Sequence, residues 1–229
     1  MTTNSEAPRS RRERPAKPAL SRAAIIETAV RLMRAEGLER VTMRRLAQEL
    51  DTGPASLYVY VRNTAQLHAA VLDELLAGVD RSPAEAGAAG DWTDRLVQIL
   101  ASYTKVLFEN PGLAQSALVA RPSGPGYLSL LESLLALLAE GGVPGDRAAW
   151  LLDLLLQLGT ATAAEQATRD RAVDSQDEVD QLAAALAVAD AGTHPHLAGL
   201  GTELLSGTGP DRLDWGFRVL ISGTLHTPR

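Results

Sequence analysis

From residue 21 onward the apolar residues of this chain recur at steps of three and four, and this period restricts the fold more than any other feature. A first segment places five apolar side chains on one helix face: Ile25, Ile26, Ala29, Val30 and Met33. Gly37 can end that helix. Further helices are predicted over residues 92–109, 127–140, 145–171, 179–191 and 211–225. No stretch alternates as a strand does, so the sequence predicts an all-α fold of about nine or ten helices.

The composition excludes several classes of protein. The chain has no cysteine, which rules out a disulfide scaffold and thiolate metal sites. No run of about 18 apolar residues is free of charges and turn residues, so we expect no membrane-spanning helix and no membrane partner. The N-terminal segment lacks the apolar core of a secretory signal, and we therefore expect a cytoplasmic protein.

Charge is distributed unevenly along the chain. Residues 1–64 carry twelve Lys+Arg against seven Asp+Glu, whereas residues 65–229 carry ten against twenty-one. Residues 1–19 combine arginines and prolines with no apolar period, which is typical of a disordered basic arm. A basic head on an acidic body suggests that the head binds a polyanion. The alternative is a solvated arm on an ordinary acidic protein.

Two short helices follow the first one, with a break at residues 51–53. Thr42 is suited to cap the second helix, and Thr52 to cap a third helix that begins near Pro54. Asn63 can cap a fourth helix, with Gln66 three residues later completing a capping-box-like pattern. The second and third helices have the layout of a helix-turn-helix, whose second helix can enter the major groove of DNA. An ordinary three-helix packing unit is the alternative.

The third helix would expose small, apolar and hydroxyl-bearing side chains if Leu57 and Val61 face inward. These are Pro54, Ala55, Ser56, Val59 and Tyr60, where a solvated helix would carry Lys or Glu. Such groups suit thymine methyls and phosphate oxygens. Arg44 and Arg45, at the start of the second helix, are placed to reach a guanine edge or the DNA backbone.

The segments 41–50 and 57–63, VTMRRLAQEL and LYVYVRN, resemble the DNA-binding head of the tetracycline-repressor (TetR) family. The resemblance is strong over residues 21–80 and weaker in the body. There it rests on Trp92, Glu109-Asn110-Pro111, Arg121-Pro122, Tyr127, Gly141 and residues 215–223, which look like the TetR-type regulatory domain. Tyr127 and Trp215 are expected to lie in the core.

The resemblance implies a homodimer that binds a palindromic double-stranded DNA operator and is released by a small molecule. It implies DNA contacts at Thr42, Met43, Arg44, Pro54, Ala55, Ser56, Tyr58, Tyr60 and Thr64. Two positions depart from the family pattern. Asp51 replaces a turn glycine that needs a left-handed backbone, which aspartate tolerates better than most residues. Thr64 stands where a lysine is common, which weakens one phosphate contact.

The resemblance also places an effector inside the body, with Tyr103 and Arg121 in its pocket. Ala117 and Asp80 replace two histidines that the family uses for drug binding, so a magnesium–tetracycline chelate is not expected. Polar residues recur at helical steps among leucines at Trp150, Asp153, Gln157 and Thr160, and could bind a mostly apolar effector. The alternative is that they lie on a solvated edge or in a dimer interface. We expect no metal site, no cofactor and no enzymatic activity.

Four regions are predicted: the arm (1–19), a helix-turn-helix domain (20–64), a connecting helix and linker (65–90) and a larger helical effector-binding and dimerisation domain (91–229). The leading hypothesis is a ligand-responsive transcriptional repressor. The alternatives are a DNA-binding regulator without a small-molecule ligand, and a small-molecule binding protein with a vestigial head. A four-helix dimer interface is expected from eight candidates: Leu151, Leu154, Leu155, Leu158, Leu213, Phe217, Leu220 and Ile221.

Overall fold

The structure is a computed structural model that describes residues 20–119, 122–172 and 175–228. Within these ranges the chain forms eleven α-helices and no strand, which confirms the all-α prediction. The helices are α1 (Arg22–Glu36), α2 (Met43–Glu49), α3 (Pro54–Leu57), α4 (Thr64–Leu76), α5 (Trp92–Glu109), α6 (Pro111–Ala117), α7 (Pro125–Glu140), α8 (Gly145–Arg169), α9 (Ser175–Ala187), α10 (Pro195–Leu204) and α11 (Gly209–His226). The predicted arm, residues 1–19, lies outside the described residues.

Local side-chain chemistry sets the ends of the first helices. Thr42 accepts a hydrogen bond from the Arg45 N–H at 3.1 Å, and Asn63 accepts one from the Gln66 N–H at 2.8 Å, so both predicted caps are confirmed. Gly37 ends α1 with a φ of 87°, and Asp51 adopts the left-handed backbone with a φ of 48°. The predicted cap at Thr52 is wrong, because Gly53 precedes Pro54 at the start of α3.

α1, α2 and α3 form a small head around buried residues such as Ile25, Leu46 and Leu57. α4 leaves this head and packs against α1 on one side and against α6 and α7 of the body on the other. In the body, α8 packs against α5, α6, α7 and α11. α4 is therefore shared between the head and the body.

Two helices of the body begin at prolines that follow a turn. Asn110 ends α5, and Pro111 starts α6. Pro195, between His194 and His196, starts α10. Proline lacks a backbone N–H and has a fixed φ, which suits the first turn of a helix as well as a turn. None of the helices in the described ranges combines the length and the apolar character needed to cross a bilayer.

Five of the eight predicted interface residues lie in the core of a single chain. Leu151, Leu155, Leu213, Phe217 and Ile221 are buried, because they fill the contact of α8 and α11 with the rest of the body. Trp215 shows the opposite error, since it is 69% exposed although it was expected in the core. The apolar side chains that stay exposed on α8 and α11 are Trp150, Leu154, Trp215, Val219 and Leu225.

Candidate functional site

The head presents one exposed surface formed by the start of α2, by α3 and by the turn after it. Eight of the nine residues predicted to bind DNA are exposed there or at the start of α4: Thr42, Arg44, Pro54, Ala55, Ser56, Tyr58, Tyr60 and Thr64. Met43 departs from the expectation, because its side chain is 6% exposed and packs in the head core beside Leu46. Val59 is also exposed, beside the two tyrosines. Because most of these exposed side chains are small, apolar or hydroxyl-bearing, the surface carries few charges.

α3 is only one turn long, and a hydrogen bond across the head supports the turn that follows it. The Tyr60 hydroxyl donates to the backbone oxygen of Leu20 at 2.8 Å, which holds this turn against the segment that enters α1. The backbone N–H of Val61 donates to Leu57 oxygen at 3.0 Å, and both side chains face the core. The exposed residues of α3 are therefore held by a buried pair beneath them.

Arg44 and Arg45 have different surroundings although they are adjacent in the sequence. Arg45 donates to Glu36 at 2.6 Å and to Glu49 at 2.8 Å, which ties α2 to the end of α1. These bonds hold the pKa of Glu36 and of Glu49 below the usual range of a glutamate. Arg44 is exposed and makes no ion pair with the described residues. Arg45 thus links α2 to α1 within the head, whereas the Arg44 side chain is exposed.

The body contains a cavity of about 320 Å³ between α4, α5, α6, α7 and α8. Its lining residues are Leu72, Leu76, Tyr103, Ala117, Leu118, Pro122, Tyr127, Asp153, Leu156, Gln157, Thr160 and Ala161. The structure thus brings together Tyr103, Asp153 and Gln157, three of the predicted effector residues. Trp150 does not line the cavity and is 61% exposed. Arg121 lies outside the described residues, next to the lining residue Pro122.

The polar groups of the cavity form two hydrogen-bonded pairs. The hydroxyls of Tyr103 and Thr160 lie 2.6 Å apart, and burial raises the pKa of Tyr103 to about 12. Gln157 donates through Nε2 to Asp153 Oδ2 at 2.8 Å. α5 and α8 can approach closely here because residue 159 is glycine: a Cβ at Gly159 would lie 2.8 Å from Thr104 Oγ1. The remaining lining is mainly leucine, alanine and aromatic side chains.

α4 links the cavity to the head, a connection that no sequence pattern predicted. Leu72 and Leu76 of α4 are part of the cavity wall. On the turn between them, Asp73 Oδ1 accepts the backbone N–H of Tyr127 at 2.9 Å, at the start of α7. Closer to the head, His68 Nδ1 lies 3.3 Å from Ser116 Oγ on α6, and burial lowers the pKa of this histidine. Residues 65–90 were predicted to hold a connecting helix and linker, but no sequence pattern showed that a cavity lies against α4.

Two family matches cover most of the chain. Residues 25–71 match the family described as bacterial regulatory proteins, tetR family. Residues 83–227 match the tetracyclin repressor-like C-terminal domain, which is more than half of the chain. The chain belongs to the TetR family of transcriptional regulators. The predicted family resemblance is thereby confirmed for both the head and the body.

Among solved structures, the TetR chain is similar to the Streptomyces coelicolor transcription regulator SCO7704. The two are 58% identical, with 93% of this chain and 98% of the other covered and a TM-score of 0.77. It is also similar to apo ActR of Streptomyces coelicolor, at 33% identity, 91% and 98% coverage and a TM-score of 0.78. ActR is a TetR family protein whose structures include complexes with actinorhodin and (S)-DNPA.

A third relative is the transcriptional repressor DrrR1 of Streptomyces coeruleorubidus, which is 37% identical over 131 residues. That match covers 56% of this TetR chain and 46% of DrrR1. The chain spans about half the length of the curated relatives that it matches first. These relatives are named as transcriptional regulators or repressors, which agrees with the expected regulatory role.

Proposed function

We propose that this TetR-family chain represses transcription as a homodimer that binds a palindromic operator and leaves it when a small molecule fills the cavity. One observation carries the proposal: Leu72 and Leu76, on the helix that leads out of the head, form part of the cavity wall. A ligand in the cavity therefore contacts the element that positions the head. If the ligand binds better to one position of α4, it shifts the population toward that position.

DNA recognition is assigned to the exposed surface of the head. The small residues of α3 allow a close approach to the groove, and Tyr58 and Thr64 carry hydroxyls suited to phosphates. Arg44 at the start of α2, like Arg62 in the turn after α3, is an exposed cation that no described acidic side chain neutralises. Phosphate contacts set the register of the protein, whereas base contacts carry the sequence preference. We therefore assign the base contact to Arg44.

Arg44→Ala is expected to weaken operator binding by about 1–3 kcal/mol and to relax the preference at one base position of each half-site. The measurement is fluorescence anisotropy with the natural operator and with single-base variants. Arg45→Ala is the adjacent comparison: it should lower the free energy of unfolding, because it breaks the links to Glu36 and Glu49. If the wild-type protein and Arg44→Ala bind each single-base variant with the same affinity, the assignment is contradicted.

A homodimer is supported by the exposed apolar side chains that α8 and α11 leave unburied in one chain. Trp150 and Leu154 lie one turn apart on α8, and Trp215 and Val219 lie one turn apart on α11. Because the two helices pack on each other, these residues can form one continuous surface. Two such helix pairs related by a twofold axis give a four-helix interface, a common arrangement for dimers.

The effector side of the proposal is supported by the cavity and by a relative. ActR, which is 33% identical, has been solved with actinorhodin bound. The cavity of this chain has an apolar wall with a few polar groups, which is the usual composition of a small-molecule site. We propose a mostly apolar effector that binds without a metal ion.

The operator function is tested directly by measuring the affinity of the protein for DNA fragments from upstream of its own gene and of the neighbouring genes. We expect tight binding to one palindromic fragment, much weaker binding to a scrambled fragment, and a steep loss of both affinities when salt is raised. Actinorhodin is the first small molecule to add. Equal affinities for the palindromic and scrambled fragments would refute the operator function.

A substitution that fills the cavity should imitate an effector without requiring its identity. Ala161 on α8 is an exposed residue that lines the cavity, so Ala161→Phe is expected to add a ring at the cavity. We expect a loss of operator affinity of about five- to tenfold, at the low end of ordinary allosteric coupling. The measurement is operator anisotropy, with circular dichroism to show that the fold is kept.

Ala139→Phe, at an exposed position of α7 outside the cavity lining, is the matched control and should leave the affinity unchanged. Wild-type affinity for a folded Ala161→Phe protein would show that cavity occupancy is not coupled to the head.

A further inference from the structure

A contact away from α4 also joins the head to the body. It involves the short 3₁₀ turn Leu38–Arg40, which lies between α1 and α2. This turn belongs to the head, because the Val41 N–H donates to the Leu38 oxygen at 2.9 Å and the Val41 side chain is buried. α2 begins two residues after Val41. A contact that holds the turn therefore also holds α2.

α6 of the body packs on this turn at a glycine. Gly112 lies in the first turn of α6, and a Cβ there would be 3.0 Å from Leu38 Cβ and 3.1 Å from Leu38 Cδ2. These distances are shorter than an ordinary van der Waals contact, so the two segments can approach this closely because residue 112 is glycine. Leu38 is half-buried against the apolar core.

Arg171, just beyond the end of α8, adds a polar contact to the same turn. Its guanidinium donates to Gln115 Oε1 on α6 at 3.1 Å and lies 3.7 Å from the Glu39 carboxylate. Gln115 donates in turn to Thr168 Oγ1 on α8 at 3.2 Å. Side chains of α6 and α8 thus hold a cation beside the acidic residue of the turn. We call these contacts the junction, formed by Leu38, Glu39, Gly112, Gln115 and Arg171.

The junction and α4 hold the head at two separate places. Relative motion of domains is the default when few contacts join them. A head attached through α4 alone can rotate when that helix bends or twists. Because α6 and Arg171 meet the head at the turn between α1 and α2, such a rotation would separate Leu38 from Gly112 and Glu39 from Arg171. The junction therefore opposes rotation of the head relative to the body.

We propose that the junction orients the two heads of a dimer so that the protein reads the spacing between operator half-sites. The proposal rests on the proposed function, in which a homodimer binds a palindrome. One base pair added between half-sites moves them apart by about 3.4 Å and turns one relative to the other by about 35°. A head that rotates freely tolerates this change, whereas a head that is held does not. Leu38, Glu39 and Arg171 are thus positioning residues.

The first measurement compares two operators by fluorescence anisotropy: the palindromic fragment, and the same fragment with one base pair inserted at its centre. We expect the wild-type protein to prefer the first at least about tenfold, because the second prevents simultaneous binding of both half-sites. Arg171→Glu should reduce this ratio about threefold, since an exposed ion pair is worth up to about fivefold. Exchange of the charges, Glu39→Arg with Arg171→Glu, should restore the ratio to within about twofold.

Two further variants separate the contact from general effects. Leu38→Ala removes the packing on Gly112 without a change of charge and should also reduce the ratio at least about threefold. Arg169→Glu is the control for charge, because it makes the same change two residues earlier, where the arginine pairs with Glu165 of its own helix. It should keep the wild-type ratio, since added charge alters the affinity for both operators alike.

A second measurement needs no DNA. The chain has no cysteine, so Gln48→Cys allows one spin label on the exposed side of α2 in each head. Double electron–electron resonance then gives the distribution of distances between the two labels of a dimer. We expect a narrow distribution for the otherwise wild-type protein and broader ones when Arg171→Glu or Leu38→Ala is added. The charge exchange should make the distribution narrow again.

The proposal is overturned if a folded, dimeric Leu38→Ala protein keeps the wild-type ratio, if the charge exchange fails to restore it, or if Arg169→Glu lowers it as far as Arg171→Glu does. These outcomes are separate from the failure of the operator function. If the variants bind both operators as the wild-type protein does, the operator function stands and the role of the junction is wrong. If the wild-type protein binds no palindrome but the variants broaden the distances, the operator function fails and the junction still orients the heads.

Discussion

Trp215→Asp should give a folded monomer that no longer holds the operator. Trp215 is exposed on α11, where Val219 follows on the same face, and α8, which packs on α11, exposes Trp150 and Leu154. In an isologous interface the new carboxylate enters twice, so two unpaired charges would be buried near the twofold axis. Loss of the second half-site contact is expected to reduce operator affinity at least about 100-fold. Sedimentation velocity and operator anisotropy measure the two effects.

The control must be an apolar residue of similar exposure on another helix. Leu128 on α7 is 58% exposed, and Leu128→Asp should leave the protein dimeric and the operator affinity unchanged. Phe217→Asp cannot serve this purpose, because Phe217 is 1% exposed and its replacement would unfold a single chain. A dimeric Trp215→Asp protein at micromolar concentration would show that the interface lies elsewhere.

The contrast between Phe217 and Trp215 shows where the sequence was insufficient. Both residues lie on a predicted helix with apolar residues on more than one face. A period of 3.6 residues identifies such faces but does not tell which one packs within the chain and which one remains for a second copy. The sequence pattern assigned Phe217 to the interface and Trp215 to the core, whereas the structure buries Phe217 and exposes Trp215. The packing of α11 against α5 and α8 determines which of its faces is buried.

Features that depend on a few neighbouring residues were predicted well. Thr42 and Asn63 cap their helices because a side-chain oxygen reaches a backbone N–H three residues later. Asp51 adopts the left-handed backbone expected of it. The different surroundings of Arg44 and Arg45 could not be predicted in this way, because the acceptor Glu36 is nine residues away, on another helix. Adjacent residues on a helix point about 100° apart, so one can be held in an ion pair while the other faces outward.

The cavity was predicted only in part, because some of its lining residues give a recognisable sequence pattern and others do not. Asp153 and Gln157 were recognisable as polar groups on an apolar helix, and Tyr103 was identified from the family resemblance. Leu72 and Leu76 carried no such signal, because a leucine beside a cavity and a leucine in a filled core produce the same pattern. The proposed coupling between the cavity and the head depends on these two residues and on the close contact of α4 with α7.

Gly126→Ala should destabilise the protein by about 3 kcal/mol, at the upper end of the usual cost of overpacking. A Cβ on Gly126 would lie 2.1 Å from the backbone oxygen of Asp73 and 3.2 Å from the backbone nitrogen of Ala77. Backbone atoms inside a helix cannot rotate away as a side chain can, so α4 and α7 must separate. That separation would also lengthen the 2.9 Å bond between Asp73 and the Tyr127 N–H. The free energy of unfolding is measured by urea denaturation followed by circular dichroism.

Gly145→Ala is the matched control, because Gly145 also lies in the first turn of a helix and a Cβ there would meet nothing within 4 Å. Alanine has the higher helix propensity, so Gly145→Ala is expected to be neutral or to stabilise the protein by up to about 1 kcal/mol. The opposite signs of the two changes separate crowding at the α4–α7 contact from a general effect of replacing glycine. If Gly126→Ala has the same stability as Gly145→Ala, α4 and α7 are not held as closely as the structure shows, and the route from the cavity to the head through this contact loses its support.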